Sequence, residues 1–478
     1  MVVGRAFEIK QLQKSLNSKE SEFIAVYGRR RIGKTYLVRE FFSSKDCVFF
    51  YTVGQYRKPM AHQIKNFSTS LSETFLNNAP IRSPKNWDDA FQLLHSQIIQ
   101  AKGKVVLFLD ELPWLVTAKS GLMSTIEYYW NRYWQQLGNV ILVVCGSSAS
   151  WIVKNIIQNK GGLHNRLTQK IKLKPFSLQE TKEFLRTKKI KLNEDQITKI
   201  YMAIGGIPFY LKLLEPGMTA AQMIQALFFS EAAPLQQEFS ELFKSMFKNS
   251  KPYIELIRLI SKKRNGTSLK EIREKIKLTS LGGHLSERLN ELVEAGFISE
   301  NVFWGKKHGE FYKLVDEFCL FYLKWVAPVK KKELLPSYWE NQASTQAYKV
   351  WSGYAFEALC MKHLPQITHA LKIKSGGVFG SWAFKPSVQS EAGVQVDLLI
   401  DRLDGAITLC EIKYYDQPFK IDKTYAKKLL DKIKSFEKNS KTDKQIFMVM
   451  IVSKGLAPSV YNEDVVDGVV TLKALFDE

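Results

Sequence analysis

Uninterrupted apolar runs mark the first third of the chain, and three of them are followed by polar or glycine-containing motifs. They are FIAVY at residues 23–27, VVLFL at 105–109 and VILVVC at 140–145. Because a strand that is covered on both faces reads as a continuous apolar run, each is typical of a buried parallel strand. The first run is followed by a helical pattern of apolar positions. These features predict an α/β domain built around a parallel sheet.

A different pattern, with apolar residues at helical spacing, occupies residues 253–294. It predicts three amphipathic helices. Their apolar faces are lined by Ile254, Ile257 and Ile260, by Leu269, Ile272 and Ile276, and by Leu285, Leu289, Leu292 and Val293. Residues 296–316 then predict two strands around a turn at 305–309. Three helices and such a hairpin predict a winged helix within residues 246–332.

Residues 394–414 predict a β-hairpin with its turn at 404–405. Three charged residues stand inside its apolar strands, namely Asp397, Glu411 and Lys413. A side-chain period of two places Glu411 and Lys413 on the same face of the second strand. These charges form either an ordinary solvated face or a site.

The composition is that of a soluble protein with several domains. With 478 residues, of which 45% are hydrophobic, the chain is long enough for about three domains. It has no apolar run of about 18 residues and no signal-peptide pattern, so we expect a cytoplasmic protein that does not bind a membrane. Five cysteines without a CxxC pair favour buried reduced thiols over zinc.

The net charge of +22 is unevenly spread along the chain. Residues 244–332 carry 19 basic and 10 acidic side chains, which is a dense excess for a short segment. A basic balance favours polyanionic partners, either nucleotides or nucleic acid, although many basic proteins bind neither.

The most specific motif is GRRRIGKT, which lies between the first predicted strand and a helix. In this context G-x-x-x-x-G-K-T predicts a phosphate-binding loop, whose glycines let backbone N–H groups surround phosphate oxygens. Lys34 is expected to reach the β- and γ-phosphates of ATP, and Thr35 is expected to bind Mg²⁺. The residues assigned to nucleotide binding here are Gly28, Arg29, Arg30, Arg31, Ile32, Gly33, Lys34, Thr35 and Tyr36.

Polar residues at the ends of the other two strands extend this site. Asp110 and Glu111 follow the second strand, at the edge where parallel sheets bind ligands. Asp110 is expected to hold Mg²⁺, and Glu111 to orient or deprotonate the attacking water. Ser147 and Ser148 are either sensors of the γ-phosphate or a polar turn. Arg166 is an arginine finger for a second copy, a sensor within its own chain, or an exposed ion-pairing residue.

Six segments occur in a characteristic order. They are VVGRAFEIKQL, GRRRIGKT, LFLDELPWL, VVCGSS, NRLTQKIKLKPF and GGIPFYL. This set resembles the AAA+/STAND-type proteins known as archaeal-type ATPases, over residues 1–245. The resemblance implies an ATPase core over residues 1–175, in which Gly4 and Arg5 lie near the nucleotide base.

The same resemblance assigns residues 176–245 to a small helical lid. Its turn Gly205-Gly206-Ile207-Pro208 is expected to lie over the nucleotide, and Pro208 is therefore assigned to nucleotide binding. Spacing alone indicates only a helix break at this turn.

The winged-helix prediction leaves two roles open. A DNA-reading module would place its third helix in the major groove. The exposed candidates for contact are His284, Ser286, Arg288 and Asn290 on that helix, and Lys306, Lys307 and His308 on the wing. Alternatively the module packs against the ATPase or another protein, which three acidic residues on the same helix favour because they repel phosphate.

The charged hairpin also resembles a known site. Two neighbouring carboxylates repel one another unless a divalent cation bridges them, and a lysine beside them can stabilise a phosphate transition state. Asp397, Glu411 and Lys413, with Glu357 on a preceding helix, resemble the PD-(D/E)XK restriction-endonuclease-like fold. The resemblance implies a nuclease-like domain over residues 333–478, with Mg²⁺ or Mn²⁺ held by the three carboxylates and Lys413 assisting catalysis.

Two details accompany this resemblance. Val396 stands where the proline of the family motif would be, which is a common replacement. The basic helix after the hairpin carries Lys423, Lys427 and Lys428, for which contact with a DNA backbone and a solvated face are both open.

Two functional hypotheses follow. In the first, the chain is an α/β protein with a P-loop NTPase sheet, helical lid, winged helix and restriction-endonuclease-like domain, which hydrolyses ATP and cuts DNA. In the second, it is a STAND-type nucleotide switch whose nuclease-like domain is silent and binds protein or DNA. Self-association is expected if Arg166 acts on a second copy.

Overall fold

The computed structural model describes residues 2–159, 161–264, 266–276, 284–302, 304, 310–329, 337–384 and 393–477. The chain divides into two compact units. The first contains residues 1–175, 246–248 and 289–295, and the second contains residues 176–245, 249–288 and 296–478. In the described part of the chain, no helix is long and apolar enough to cross a membrane. The predicted wing turn, with Lys306, Lys307 and His308, lies outside the described residues.

The first unit is built on the parallel sheet that the apolar runs predict. Its strands are β1 (Glu22–Tyr27), β2 (Val48–Val53), β3 (Val105–Asp110), β4 (Val140–Gly146) and β5 (Gln169–Lys172). They are arranged in the order β2-β3-β4-β1-β5, and every pairing is parallel. All residues of β3 and β4 are buried, which explains their uninterrupted apolar sequence. The α/β prediction is confirmed for this unit.

Helices surround this sheet. They are α1 (Ala6–Leu16), α2 (Lys34–Ser43), α3 (Met60–Phe75), α4 (Trp87–Gln100), α5 (Leu112–Leu115), α6 (Leu122–Tyr129), α7 (Gln135–Leu137) and α8 (Ala149–Ile152), with π-helical turns at Trp130–Trp134 and Val153–Ile157. Aromatic side chains of α3 and α4 pack against the strands, as in the Phe50–Phe67 pair, whose ring centroids are 5.1 Å apart. Because every pairing in the sheet is parallel, the carboxyl ends of the strands lie at one edge.

The second unit begins with helices over the range predicted as a lid. They are α9 (Leu178–Thr187), α10 (Glu194–Ile204), α11 (Pro208–Leu211), α12 (Ala220–Phe228) and α13 (Glu238–Met246). The glycine pair between α10 and α11 is required by close packing. Gly205 has a φ of 66°, and a Cβ on Gly206 would lie 2.0 Å from the carbonyl oxygen of Phe176. The sequence motif is therefore a tight turn between helices.

The next segment contains the elements in the order that the winged-helix prediction requires. They are α14 (Lys251–Ile260), β6 (Thr267–Ser268), α15 (Leu269–Lys275), α16 (Leu285–Glu294), β7 (Ile298–Val302) and β8 (Glu310–Leu314). The strands form an antiparallel sheet in the order β6-β8-β7. The classification as a winged helix and the four domain boundaries stay predictions.

A second large sheet lies in the C-terminal part of this unit. The helices before it are α17 (Glu317–Phe321, continued by a π-helical turn, Tyr322–Val326), α18 (Tyr338–Gln342), α19 (Gln346–Lys362) and α20 (Leu364–Ala370). The strands are β9 (Gly377–Phe384), β10 (Val394–Arg402), β11 (Ala406–Lys413), β12 (Gln445–Val452) and β13 (Gly468–Thr471). The remaining helices are α21 (Lys423–Ser440), α22 (Tyr461–Val465) and a 3₁₀ turn, Leu472–Phe476.

This second sheet is mixed, with strand order β13-β12-β11-β10-β9. Strands β9, β10 and β11 pair antiparallel, whereas β11, β12 and β13 pair parallel. The predicted hairpin is β10 and β11, and Gly405 in its turn has a φ of 81°. Helix α21 packs against β9, β10 and β12 and covers one face of the sheet.

Buried polar contacts join α9 and α10 to the C-terminal elements of the same unit. His363, after α19, accepts a hydrogen bond from the backbone N–H of Leu178 at its Nε2 (3.1 Å) and donates from Nδ1 to the Leu359 carbonyl (2.9 Å). Tyr414, after β11, donates its hydroxyl to Asp195 of α10 at 3.1 Å. These helices and the C-terminal sheet therefore share one packed interior.

The His363 site predicts a loss of stability at mildly acidic pH. Burial lowers the pKa of His363 from 6.5 to about 4, since the ring is 1% exposed and its Nε2 must accept a hydrogen bond. The unfolded chain takes up a proton below pH 6.5 and the folded chain only near pH 4, so stability falls across that interval. The loss is on the order of 3 kcal/mol. Urea unfolding of a His363→Asn variant should show a flatter pH dependence, and exposed His369→Asn should match the original chain.

Candidate functional sites

The phosphate-binding loop is a strained turn between β1 and α2. Gly28 has a φ of 143°, and a Cβ at this position would lie 2.5 Å from the carbonyl oxygen of Leu173. Gly33 has a φ of 88° and Arg31 a φ of 74°, both in the left-handed region. The two glycines of the motif are therefore dictated by backbone geometry. They point the loop toward the edge where the strands end.

Lys34 is held inside this loop. Its ammonium donates to the carbonyl oxygens of Gly28 (3.0 Å) and Arg29 (2.9 Å) and to Ser147 Oγ (3.3 Å). The residue is 5% exposed, so its charge is poorly screened by water. The arrangement places a positive charge against the loop that would surround phosphate oxygens.

Thr35 and Asp110 meet beside Lys34. The Thr35 hydroxyl donates to Asp110 Oδ2 at 2.7 Å, and the backbone N–H of Glu111 donates to Oδ1 at 2.9 Å. Asp110 is 2% exposed. A hydroxyl and a carboxylate are hard oxygen ligands of the kind that Mg²⁺ binds together with phosphate, so these residues fit that ion.

Ser147 connects the third strand of the site to Glu111. Its backbone N–H donates to Glu111 Oε2 at 3.0 Å, and its hydroxyl donates to Oε1. Glu111 adopts a left-handed backbone conformation with a φ of 47°. Because Ser147 also accepts from Lys34, it is the common partner of the predicted phosphate ligand and the predicted base.

Arg5 lies on the other side of the same loop. Its guanidinium donates to the carbonyl oxygens of Ile32 (3.2 Å) and Lys174 (2.8 Å), and its side chain is buried. Gly4 and Arg5 both have positive φ, at 62° and 61°. The structure thus brings this pair to the loop, whereas its contact with a nucleotide base stays a prediction.

Pro208, the first residue of α11, belongs to the second unit, and its role also stays a prediction.

The sequence reading missed Tyr51 on β2. Burial, and next the charge of Asp110, raise the pKa of Tyr51 to about 12, so its hydroxyl stays protonated and donates to that carboxylate. Arg39 lies over the ring, 4.9 Å from its centroid. The register places Val53 beside Asp110. An aromatic residue two positions before Val53 on β2 was therefore the sequence feature that could have indicated a partner for Asp110.

Arg30 and Tyr36 were also assigned to nucleotide binding. Arg30 lies 5.5 Å from the Trp114 ring centroid, and Tyr36 is exposed.

Arg166 is not brought to this cluster. It is exposed and lies three residues before β5, whose first residue, Gln169, pairs with Ile24 near the start of β1. It lines a surface cavity with Lys19 and Gly138, which precede β1 and β4. Arg166 is therefore at the amino-terminal edge of the sheet, opposite the loop. A sensor role within its own chain is not supported, and a finger role toward a second copy stays a prediction.

A second cluster forms where β10 and β11 pair. Leu398 pairs with Cys410, and Asp397 and Glu411 are the residues next to this pair on β10 and β11. Asp397 Oδ2 accepts from the backbone N–H of Ile412 at 3.2 Å. Burial, followed by the charge of Glu411, raises the pKa of Asp397. The charge of Glu411 thus disfavours ionisation of Asp397.

Glu411 is neutralised by lysines. Lys413 Nζ lies 2.6 Å from Glu411 Oε1, and Lys432 of α21 pairs with Oε2. The Tyr425 hydroxyl donates to Oε1 at 3.0 Å. Burial alone would raise the pKa of Glu411, but Lys432 and Lys413 together hold it below its ordinary value. Lys432 and Tyr425 were missed in the sequence, where only the exposed lysines of α21 (Lys423, Lys427 and Lys428) were considered.

Glu357 on α19 is held by a different partner. Its carboxylate is buried and accepts a hydrogen bond from Arg264, whose guanidinium also lies 3.7 Å from the Tyr354 ring centroid. Burial, and next the charge of Asp397, raise the pKa of Glu357 to about 7. Among the described residues, no group of three or more His, Cys, Asp or Glu side chains is arranged to hold a metal ion. The assignment of Glu357 as a metal ligand together with Asp397 and Glu411 therefore stays a prediction.

The donor chemistry of the hairpin still fits a divalent cation. Asp397 and Glu411 present carboxylate oxygens across neighbouring strands, and a cation between them would relieve their repulsion. The lysines that pair with Glu411 would then need to shift toward solvent or substrate. Mg²⁺ and Mn²⁺ both accept such ligands.

Known proteins share parts of this architecture. The family model described as "ATPase domain predominantly from Archaea" matches residues 2–214. An uncharacterized protein of Methanocaldococcus jannaschii is 24% identical over 425 residues, which cover 87% of this chain and 88% of that protein.

Two solved structures can be superimposed on part of the chain. The Walker-type ATPase of Pyrococcus abyssi has a TM-score of 0.48 at 17% identity, covering 68% of this chain and 96% of its own. The ORC2 protein of Aeropyrum pernix, in ADPNP and ADP complexes, has a TM-score of 0.41 at 14% identity, covering 68% of this chain and 94% of its own.

Proposed function

We propose that the chain binds ATP and hydrolyses it at the edge of the parallel sheet, because residues 2–214 match the family model described as "ATPase domain predominantly from Archaea". One observation carries this proposal. At the carboxyl ends of β1 and β3, Lys34 donates to the Gly28 carbonyl at 3.0 Å, and Thr35 donates to Asp110 at 2.7 Å. The loop N–H groups and Lys34 would bind the phosphates.

The chain's own residues have distinct roles in this proposal. Thr35 and Asp110 would hold Mg²⁺, which supplies positive charge to the phosphate oxygens. Glu111 would orient the attacking water and accept its proton. Ser147 holds Glu111 through two hydrogen bonds and also contacts Lys34. A phosphate that binds Lys34 would therefore change the position of Glu111 through Ser147. The site would therefore position its base only when the γ-phosphate is present.

The test of this proposal is a Glu111→Gln variant. We expect hydrolysis to fall about 10²–10⁴-fold, because the amide cannot accept the proton, while ATP binding is retained because Glu111 does not contact the loop. Single-turnover phosphate release and titration with a fluorescent ATP analogue measure the two quantities. Glu73→Gln on the exposed face of α3 is the matched control. Hydrolysis at the original rate in Glu111→Gln would remove Glu111 from the mechanism.

A second function is favoured by the hairpin cluster. We propose that the C-terminal part of the chain is a Mg²⁺- or Mn²⁺-dependent nuclease of the PD-(D/E)XK kind that acts on DNA. The observation that supports it is the convergence of Asp397, Glu411 and Lys413 at paired strands. The carboxylates would hold the cation, and Lys413 would stabilise charge on the scissile phosphate.

Incubation of the full chain with supercoiled plasmid separates the two functions. Nicking is expected with Mg²⁺ or Mn²⁺ and not with EDTA. If neither metal supports cleavage of circular, linear or single-stranded substrates, with or without ATP, the nuclease is excluded. The chain is then better described as a STAND-type nucleotide switch whose C-terminal part binds protein or DNA.

A further inference from the structure

Two adjoining cavities in the second unit lead to the hairpin cluster. The first, of about 640 Å³, lies between the turn after α14, strand β8 and helix α19. The second, of about 550 Å³, runs along α19 to Lys413 and the residues that follow it. Both are lined by Arg264, Gln346, Val350, Tyr354 and Glu357, so they form one channel. We call this channel the α19 groove.

The mouth of the α19 groove is strongly basic. The cations that line its first cavity are Lys262, Lys263, Arg264, Lys313 and Lys324, whereas Glu357 is the acidic lining residue. Lys263 is paired with Glu271 at 2.7 Å, and Arg264 is paired with Glu357. Lys262 and Lys324 are exposed at the rim. The groove therefore presents positive charge to solvent and complements an anion.

Flat apolar surfaces accompany these charges. Tyr354, at the junction of the two cavities, is 38% exposed and carries the Arg264 guanidinium on its ring. Tyr415, at the far end of the second cavity, is 52% exposed. Surfaces that combine cations along a groove with accessible aromatic rings bind single-stranded nucleic acid, because bases stack on the rings while phosphates meet the cations.

The size of the groove selects the same kind of ligand. Each cavity has the volume of a small-molecule pocket, which is roughly 300–1,000 Å³. In a duplex the base faces are stacked on one another, so only unpaired nucleotides can place their bases on Tyr354 and Tyr415. We propose that the α19 groove binds a single polynucleotide strand, with bases on Tyr354 and Tyr415, and guides it to Lys413. The guiding step rests on the proposed nuclease, whereas strand binding does not.

Arg264 is placed to contact a strand that spans both cavities. It lies on both cavities and pairs with Glu357, so a strand passing between them must meet its guanidinium. A phosphate can take the place of the Glu357 carboxylate, since arginine binds both groups through the same planar donors. Strand entry would then release Glu357 beside the hairpin cluster.

The test measures strand binding by the full chain in EDTA, where cleavage cannot occur. Fluorescence anisotropy with labelled oligo-dT, oligo-U and a duplex of equal length should show at least about tenfold tighter binding of a single strand than of the duplex. The two single-strand arms distinguish DNA from RNA. Tyr354→Ala should weaken binding about tenfold. Lys262→Ala with Lys324→Ala should lower the salt slope by about 1.4, at about 0.7 per lost phosphate contact.

The control is Lys85→Ala with Lys102→Ala, which removes two exposed lysines that line neither cavity. Circular dichroism and thermal unfolding show whether each variant is folded. Equal or tighter duplex binding, absence of single-strand binding, or groove variants that behave like the control would overturn the proposal. Strand binding in EDTA that depends on Tyr354, together with no plasmid nicking in Mg²⁺ or Mn²⁺, supports the groove and rejects the nuclease. Cleavage that is insensitive to the groove variants does the reverse.

Discussion

Replacement of Lys34 by alanine is expected to lower ATP hydrolysis by about a thousandfold or more. The ammonium is the buried cation of the loop, where it contacts two backbone carbonyls and Ser147, and in low dielectric such a charge stabilises phosphate oxygens strongly. Its removal also leaves the loop carbonyls without that donor. We therefore expect weaker ATP binding together with slower turnover, measured by phosphate release at saturating ATP.

Lys14→Ala, on the exposed face of α1, serves as the matched control for this experiment. Folding of the Lys34→Ala chain is checked by thermal unfolding without nucleotide, because the loop is not required for the strands to pair. Addition of ATP should raise the unfolding temperature of the original and control chains and leave that of Lys34→Ala unchanged. Persistent hydrolysis in Lys34→Ala would show that the loop does not bind the transferred phosphate.

The second large effect is expected at Lys413. If the hairpin is a nuclease site, Lys413→Ala should reduce metal-dependent plasmid nicking by about 10²–10³-fold, since it removes the cation beside the reacting phosphate. Glu411 keeps Lys432 and Tyr425 as partners, so the buried carboxylate is not left uncompensated and the sheet should stay folded. The measurement is the initial rate of conversion from supercoiled to nicked plasmid.

A Lys434→Ala variant, on the exposed side of α21, provides the comparison for Lys413→Ala. It changes the net charge equally and lies outside the cluster. Nicking that continues at the original rate in Lys413→Ala would mean that the cleavage comes from elsewhere, whereas a loss in both variants would indicate a general charge effect. Only a loss confined to Lys413→Ala supports the proposed site.

The strands that carry the two sites were predictable because the local pattern of apolar residues indicates which residues are buried. Continuous apolar runs predict β1, β3 and β4, and the alternating run with its turn at 404–405 predicts β10 and β11. The phosphate loop was equally predictable, because its two glycines, at fixed spacing, adopt positive φ angles that other residues rarely adopt. These features depend on neighbours only a few residues away.

The partners of the sites depend on distant packing and were not predictable in the same way. Tyr51 reaches Asp110 only because β2 pairs with β3, and the sequence around Tyr51 does not reveal which strand β2 pairs with. Lys432 reaches Glu411 because α21 covers the second sheet, which no spacing in the sequence encodes. The position of Arg166 at the amino-terminal edge of the sheet was not predictable, because sequence order does not reveal which edge of a sheet a loop joins.

The buried contacts of His363 and Tyr414 have a consequence for how such chains can be recombined. The family match ends at residue 214, yet the compact unit that contains α9 and α10 continues into the C-terminal sheet. A chimaera that took α9 and α10 from another ATPase would leave His363 and Tyr414 buried without Leu178 and Asp195 as partners. A chimaera should therefore be joined near residue 175. The helices after that point must be exchanged together with the C-terminal sheet that they pack against.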